Sequence, residues 1–141
     1  MSKVVLIAML AMLAAASSAA QTAIPDLRGT WKGESESIVL GAEHPHHPAT
    51  QSKAPELRSV PFTLIIDKQD GRRFSGTFSS ARRTAQVIGV ISRGGTIFLA
   101  DSESEGHSNG TILASNRLEL CYLHASSATR IASCTELTKQ Q

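Results

Sequence analysis

VPFTLIIDKQDGRRFSGTFSS, Val60 to Ser80, sets two apolar, β-branched and aromatic runs on either side of an Asp70-Gly71 pair. Phe62, Leu64 and Ile66 recur at every second position, as do Phe74, Gly76 and Phe78 beyond the pair. A period of two belongs to a strand with one buried face, and Asp-Gly supplies the positive φ that a tight hairpin turn needs. The stretch predicts two antiparallel strands.

The same pattern extends in both directions. Short runs recur about every ten residues: TWKGESESIVL before the hairpin, then AQVIGVIS, TIFLAD, GTILAS, LELCYLHA and TRIASCTEL after it. Gly94-Gly95 and Ser115-Asn116 punctuate them, and Asn109-Gly110 stands before the sixth run as a further turn signal. Eight runs joined by short turns imply consecutive antiparallel pairing. A flat meander would leave two sheet edges open to aggregation, and closure removes them. The expectation is an all-β fold, an antiparallel up-and-down β-barrel of about eight strands, with a two-sheet β-sandwich as the alternative.

The first strand shows which face is inside. Trp31, Gly33, Ser35, Ser37 and Val39 share one side, and Lys32, Glu34 and Glu36 share the other. Charges are costly to bury, so the second side faces water. The inner side then runs from a large aromatic to small and hydroxyl residues, a barrel plugged at Trp31 and roomier beyond. An eight-stranded barrel is just wide enough to be filled by side chains or to hold one small ligand. Gly76 and Gly89 fit either outcome: they leave space, or they permit the tight coiling that closure requires.

One segment breaks the rhythm. GAEHPHHPATQSKAPELRS, Gly41 to Ser59, carries Pro45, Pro48 and Pro55 and few apolar residues, and reads as a long loop. Long loops on rigid scaffolds often carry function. His44, His46 and His47, beside Glu43, are the one metal-like cluster, offering ligands for zinc, copper or nickel. The competing reading is a solvated loop, because closed metal sites draw ligands from separate elements. Arg72-Arg73 and Arg82-Arg83 flank the third run and fall at opposite barrel ends, either as solvated turn residues or as anchors for anionic glycans or lipid head groups.

The first twenty residues read as an address. Lys3 precedes the apolar run Val4 to Ala16, and Ser18 and Ala20 occupy small-residue positions suited to signal peptidase. The run is shorter than the ~20 residues that a membrane-spanning helix needs. No cysteine follows the leader to carry a lipid anchor. The expected product is a single domain of residues 21–141, periplasmic or secreted and not membrane-spanning after cleavage. A formal charge of +2 over the whole chain gives no reason to expect nucleic acid.

The two cysteines, Cys121 and Cys134, are expected to form one disulfide in an oxidising compartment. If they face each other across the last hairpin, its loop is Ser126 to Thr129 and the bond lies on the outer face. That register also sets Glu119 opposite Glu136, a like-charge pair. Catalysis finds little support. No Gly-x-Ser-x-Gly elbow is present, and His107 and His124 near Asp101 or Tyr122 form at most a weak candidate.

GTWKG (Gly29 to Gly33) and FSGTF (Phe74 to Phe78) resemble the opening strands of avidin and streptavidin barrels, and Gly29 with Trp31 is similar to the Gly-x-Trp of lipocalins and of bacterial lipocalin-like protease inhibitors. The later tryptophans that avidins stack on their ligand are missing, Trp31 being the only tryptophan. Along most of the chain, HHP, FTLIIDKQDGRRFSGTFSS and LELCYL resemble small exported bacterial proteins of unknown function, which supply no catalytic residue. The graded inner face, from Trp31 outward through Gly33, Ser35 and Ser37, and a Pro-rich loop from Gly41 able to cover the opening point to a non-enzymatic binding barrel without a cofactor. Its ligand would be a small apolar or amphipathic molecule near Trp31, Ser35, Ser37 and Phe78. The alternative is an inhibitor or envelope-protein partner that acts through the 41–59 loop, with possible weak metal binding.

Overall fold

The computed structural model describes residues 23–141; the leader expected at 1–20 lies outside them. Eight strands, β1 (Gly29–Gly41), β2 (Glu56–Asp70), β3 (Arg73–Ser79), β4 (Thr84–Ile91), β5 (Thr96–Asp101), β6 (His107–Ala114), β7 (Arg117–Ala125) and β8 (Thr129–Lys139), pair in sequence order. β1 also pairs with β8, from Trp31↔Lys139 to Gly41↔Thr129, and closes the barrel. Closure decides against a sandwich. Every strand has two neighbours, so no edge is left to template aggregation.

The inner face follows the alternation of the sequence. Trp31, Leu64, Ile66, Phe74, Val87, Ile91, Ile97, Leu118 and Leu137 form one buried cluster at the end where β1 begins. Leu27, just before β1, covers that end, and the Trp31 indole N–H donates to its carbonyl oxygen at 2.8 Å. Gln69 fixes the same segment, accepting from the Leu27 amide at 2.7 Å and donating to the Pro25 carbonyl at 2.8 Å. Trp31 therefore plugs one end, and the residues before it form the lid over the plug.

Gly76 and Gly89 are tight coils, not open space. A Cβ at Gly76 would lie 1.8 Å from the Ile65 carbonyl oxygen, and one at Gly89 would lie 2.1 Å from the Phe74 ring. Near Gly76 the β2–β3 register shifts between Ile66 and Lys68, a bulge that bends the wall.

Two expectations need correction. The long loop is Ala42 to Pro55, shorter than 41–59, because β1 runs on to Gly41 and recruits Glu56 to Ser59 as ladder partners for Glu36 to Val39. Cross-strand bonding overrides the polar composition of that stretch. Asn109-Gly110 is no turn but lies inside β6, paired with Cys121 and Leu120. The turn there is made by Asp101, whose carboxylate accepts from the Glu103 and Ser104 amides at 2.9 and 2.7 Å and from the Ser104 hydroxyl at 2.7 Å. The predicted turn at Gly71 has its positive φ of 58°, whereas Ser115-Asn116 turns without one.

Cys121 and Cys134 are paired in register and bonded, Cα–Cα 4.0 Å, on the outer face. A disulfide speaks for an oxidising, non-cytoplasmic environment. The Glu119↔Glu136 register is kept, and Arg117 relieves it by donating from Nε to Glu136 at 2.8 Å.

Candidate functional site

The two barrel ends differ in what covers them. Opposite Trp31, the mouth is ringed by the Ala42–Pro55 loop and by the turns after β3, β5 and β7. His44 and His47 exchange backbone hydrogen bonds at 2.9 and 3.0 Å, so Pro45 and His46 form a turn. The turn folds inward. His44, His46 and His47 are only 7, 9 and 3% exposed, which corrects the expectation of a solvated loop. The physical reason is the apolar mouth beneath them, which needs a cover that the short turns at this end cannot supply.

Each ring has a defined place. His46 stands edge-on to Phe62 and Phe78, with centroids at 5.2 and 5.9 Å, while those phenylalanines stack on each other at 4.5 Å. Its Nδ1 shares a 2.9 Å hydrogen bond with the Ser80 hydroxyl. His44 Nε2 meets the Tyr122 hydroxyl at 3.0 Å, and its ring centroid lies 5.0 Å from that of His124. Nδ1 of His44 and Nδ1 of His47 are buried without a hydrogen-bond partner.

Burial is the main force on their protonation. It pushes His44 and His47 down to about 4, with neighbouring histidines adding to the effect at both. The Arg58 guanidinium adds further to His47. His46 is lowered for the same first reason, with Asp101 pulling the other way. Burial likewise raises the Tyr122 phenol. All three imidazoles are neutral at pH 7.

Beneath the turn lies a cavity of about 50 Å³, lined by Phe62, Phe78, Leu99 and Leu120 with Tyr122 and the histidines at its polar side. Of the four residues expected to meet a ligand, Phe78 lines it. Trp31 sits at the sealed end. Ser35 and Ser37 are buried in the wall, where their hydroxyls bond each other at 3.0 Å, Ser37 bonds Ser133 at 2.7 Å, and Ser35 accepts from the Val60 amide at 3.2 Å.

Among the described residues, no group of three or more His, Cys, Asp or Glu side chains could hold a metal ion. His46 points at Ser80 while His44 points at Tyr122, so their nitrogens diverge.

The basic pairs are engaged. Arg82 pairs with Glu43 across the mouth, Arg73 with Asp70, and Arg72 donates to the Ser92 carbonyl at 2.8 Å. Arg58, read in the sequence as loop, anchors the turn from β2 by donating to the carbonyls of Pro48 and Ala49 and to Glu56 at 2.6 Å. Sequence reasoning missed Phe62 and Arg58 as site residues. The alternation that put Phe62 on the inner face was the available signal for the first. Arg58 has none, because its role depends on the loop folding back.

No protein-family model matches the chain, and no curated protein matches it. Among solved structures it is similar to a redesigned β-barrel, at 9% identity and TM-score 0.48, covering 82% of this chain and 92% of that one. It is also similar to an S-type phycobiliprotein lyase from Guillardia theta, at 10% identity and TM-score 0.36, covering 82% and 89%.

Proposed function

We propose that this protein is an exported, non-enzymatic barrel that binds a small apolar or amphipathic molecule at the end opposite Trp31, beneath the His44–His47 turn. The observation that carries the reading is the aromatic slot. Phe62 and Phe78 stack on each other under an imidazole of the chain's own loop. Binding sites are mostly apolar hollows with a few convergent polar groups, and this one offers Tyr122 and His44 beside the phenylalanines.

About 50 Å³ is room for little more than a water or two. A ligand therefore enters by displacing the turn, and a flat apolar group takes the place of His46. The partner is a small molecule and not nucleic acid, and the place of action is the periplasm or the outside of the cell. The second reading, an envelope-protein partner engaged by the loop, is favoured by the same small volume, since a filled barrel needs no ligand.

Phe62 and Phe78 aromatic resonances, followed by NMR while dodecanoate or anilinonaphthalene sulfonate is added at neutral pH, test the proposal. Trp31 fluorescence is unsuited, because the indole is sealed at the far end. Saturable shifts at Phe62, Phe78 and His46, weakened at least tenfold in Leu99→Trp with an unchanged circular dichroism spectrum, support it. No saturable shift with either probe, and no co-purified small molecule in native mass spectrometry, overturns it. Export is checked in the same spectra: an N-terminus near Gln21 is expected, and an intact Met1 speaks against it.

A further inference from the structure

We infer that the His44–His47 turn is an acid-opened cap: it shuts the barrel mouth at neutral pH, and protonation of its buried imidazoles releases it. The inference concerns control of the cavity proposed above as a ligand site, but the movement itself needs no ligand.

The closed cap tolerates its histidines only as neutral rings. Nδ1 of His44 and Nδ1 of His47 face no acceptor. A histidinium donates from both nitrogens, so protonating either ring buries a charge whose N–H has nothing to bond. The surroundings make matters worse. Arg58 from β2 and Arg82 and Arg83 from the β3–β4 turn bring positive charge to the cap, and the rings of β7's His124 and of the cap itself would add more.

The acids nearby are occupied. Glu43, on the loop itself, pairs with Arg82. Glu56 of β2 pairs with Arg58 at 2.6 Å. Glu103, after β5, lies 3.8 Å from Arg83. Asp101 of β5 favours protonation of His44 and His46, but its carboxylate turns to Ser104 and the Glu103 amide and makes no bond to either ring. Tyr122 of β7 faces His44 as a neutral phenol, since burial raises it. From β6 and β8 the cavity receives only the hydroxyls of Ser108, Ser133 and Thr135. Among the described residues, no carboxylate bonds to or pairs with any of the three imidazoles.

The turn is also built to move alone. Its two ends are tied to the barrel, by Thr50 N to Gly41 O at 2.9 Å, by Ala42 N to Ala128 O at 2.9 Å, and by Arg58 on Pro48 and Ala49. Residues 43–47 between those ties rest on the mouth through the rings, the Ser80 and Tyr122 hydroxyls and the Arg82–Glu43 pair. Opened, the rings return to ordinary imidazole behaviour. Taking about 4 for the closed and 6.5 for the open state, opening gains a factor of about 30 per ring at pH 5, and of order 10³ for His44 and His47 together.

Amide hydrogen exchange and histidine NMR titration of the whole protein from pH 7.5 to 4.5, without ligand, are the test. After correction for intrinsic exchange rates, protection of the His44 and His47 amides should fall at least 100-fold between pH 7 and pH 5. The Trp31 indole N–H and the β1 and β8 amides should keep theirs. A His44→Phe/His47→Phe variant should stay closed at pH 5; if it does not fold, the wild-type titration alone decides. The inference is overturned by protection that does not change with pH, by loss of protection at Trp31 together with the turn, or by a folded double variant that keeps the full response. A cap that opens in acid while neither dodecanoate nor anilinonaphthalene sulfonate binds at any pH upholds this inference and removes the ligand reading.

Discussion

Phe74 and Gly89 show at the scale of single residues how the lower barrel is filled. The ring lies where a Cβ on residue 89 would stand, 2.1 Å from that position, and is only 5% exposed. The absence of one side chain makes room for another. Gly89→Val should therefore force Phe74 off its place and destabilise the fold by about 1–3 kcal/mol, the usual cost of overpacking a core, read as a lower urea midpoint with an unchanged slope. Gly89→Val together with Phe74→Leu should recover part of the loss. If Gly89→Val is neutral, the interior is looser than described.

Among the elements, β7 and β8 carry the covalent link and β1 carries the closure. The Cys121–Cys134 bond joins neighbours 13 residues apart on strands that the ladder already holds. Its contribution lies mainly in restricting the unfolded chain, about 3 kcal/mol for a loop of this size. The double variant Cys121→Ser/Cys134→Ser should keep its β-type circular dichroism and melt at a lower temperature by several degrees. Unchanged melting would show that the bond does not constrain the unfolded state. Arg117→Ala should cost little in wild type, since its pair with Glu136 is half exposed. It nevertheless leaves Glu119 and Glu136 opposed without a cation between them.

For the molecule as a whole, the buried histidines set the pH range of stability. His44 and His47 titrate lower in the folded barrel than in the unfolded chain, so between about 6.5 and about 4 the unfolded chain binds more protons. Stability from these groups is complete above pH 6.5 and is lost as pH falls toward 4. The thermal midpoint should be level from pH 7 to 8 and decline below 6.5, and the decline should shrink in His44→Phe/His47→Phe. A decline that His44→Phe/His47→Phe keeps in full would contradict its assignment to these rings.

Much of the barrel was legible in the sequence, because strand alternation is a local property. Trp31, Phe62, Leu64 and Ile66 announced their face by spacing alone, and Asp70-Gly71 marked a hairpin through the φ its glycine supplies. The cysteine pairing followed from two cysteines in an expected oxidising compartment, and the same parity put the bond on the outer face. The histidine turn was not legible. HPHHP is polar and rich in proline, and locally it reads as a solvated loop; its burial comes from an apolar mouth built by β2, β3, β5 and β7, which are distant in sequence. Arg58 and Ser80 acquire roles only when that loop folds back onto them. Local periodicity by itself determined the strands and their inner faces. Closure of β1 on β8, and the burial of three histidines over a small cavity, were decided by the tertiary structure, because both depend on surfaces that exist only once the barrel has formed.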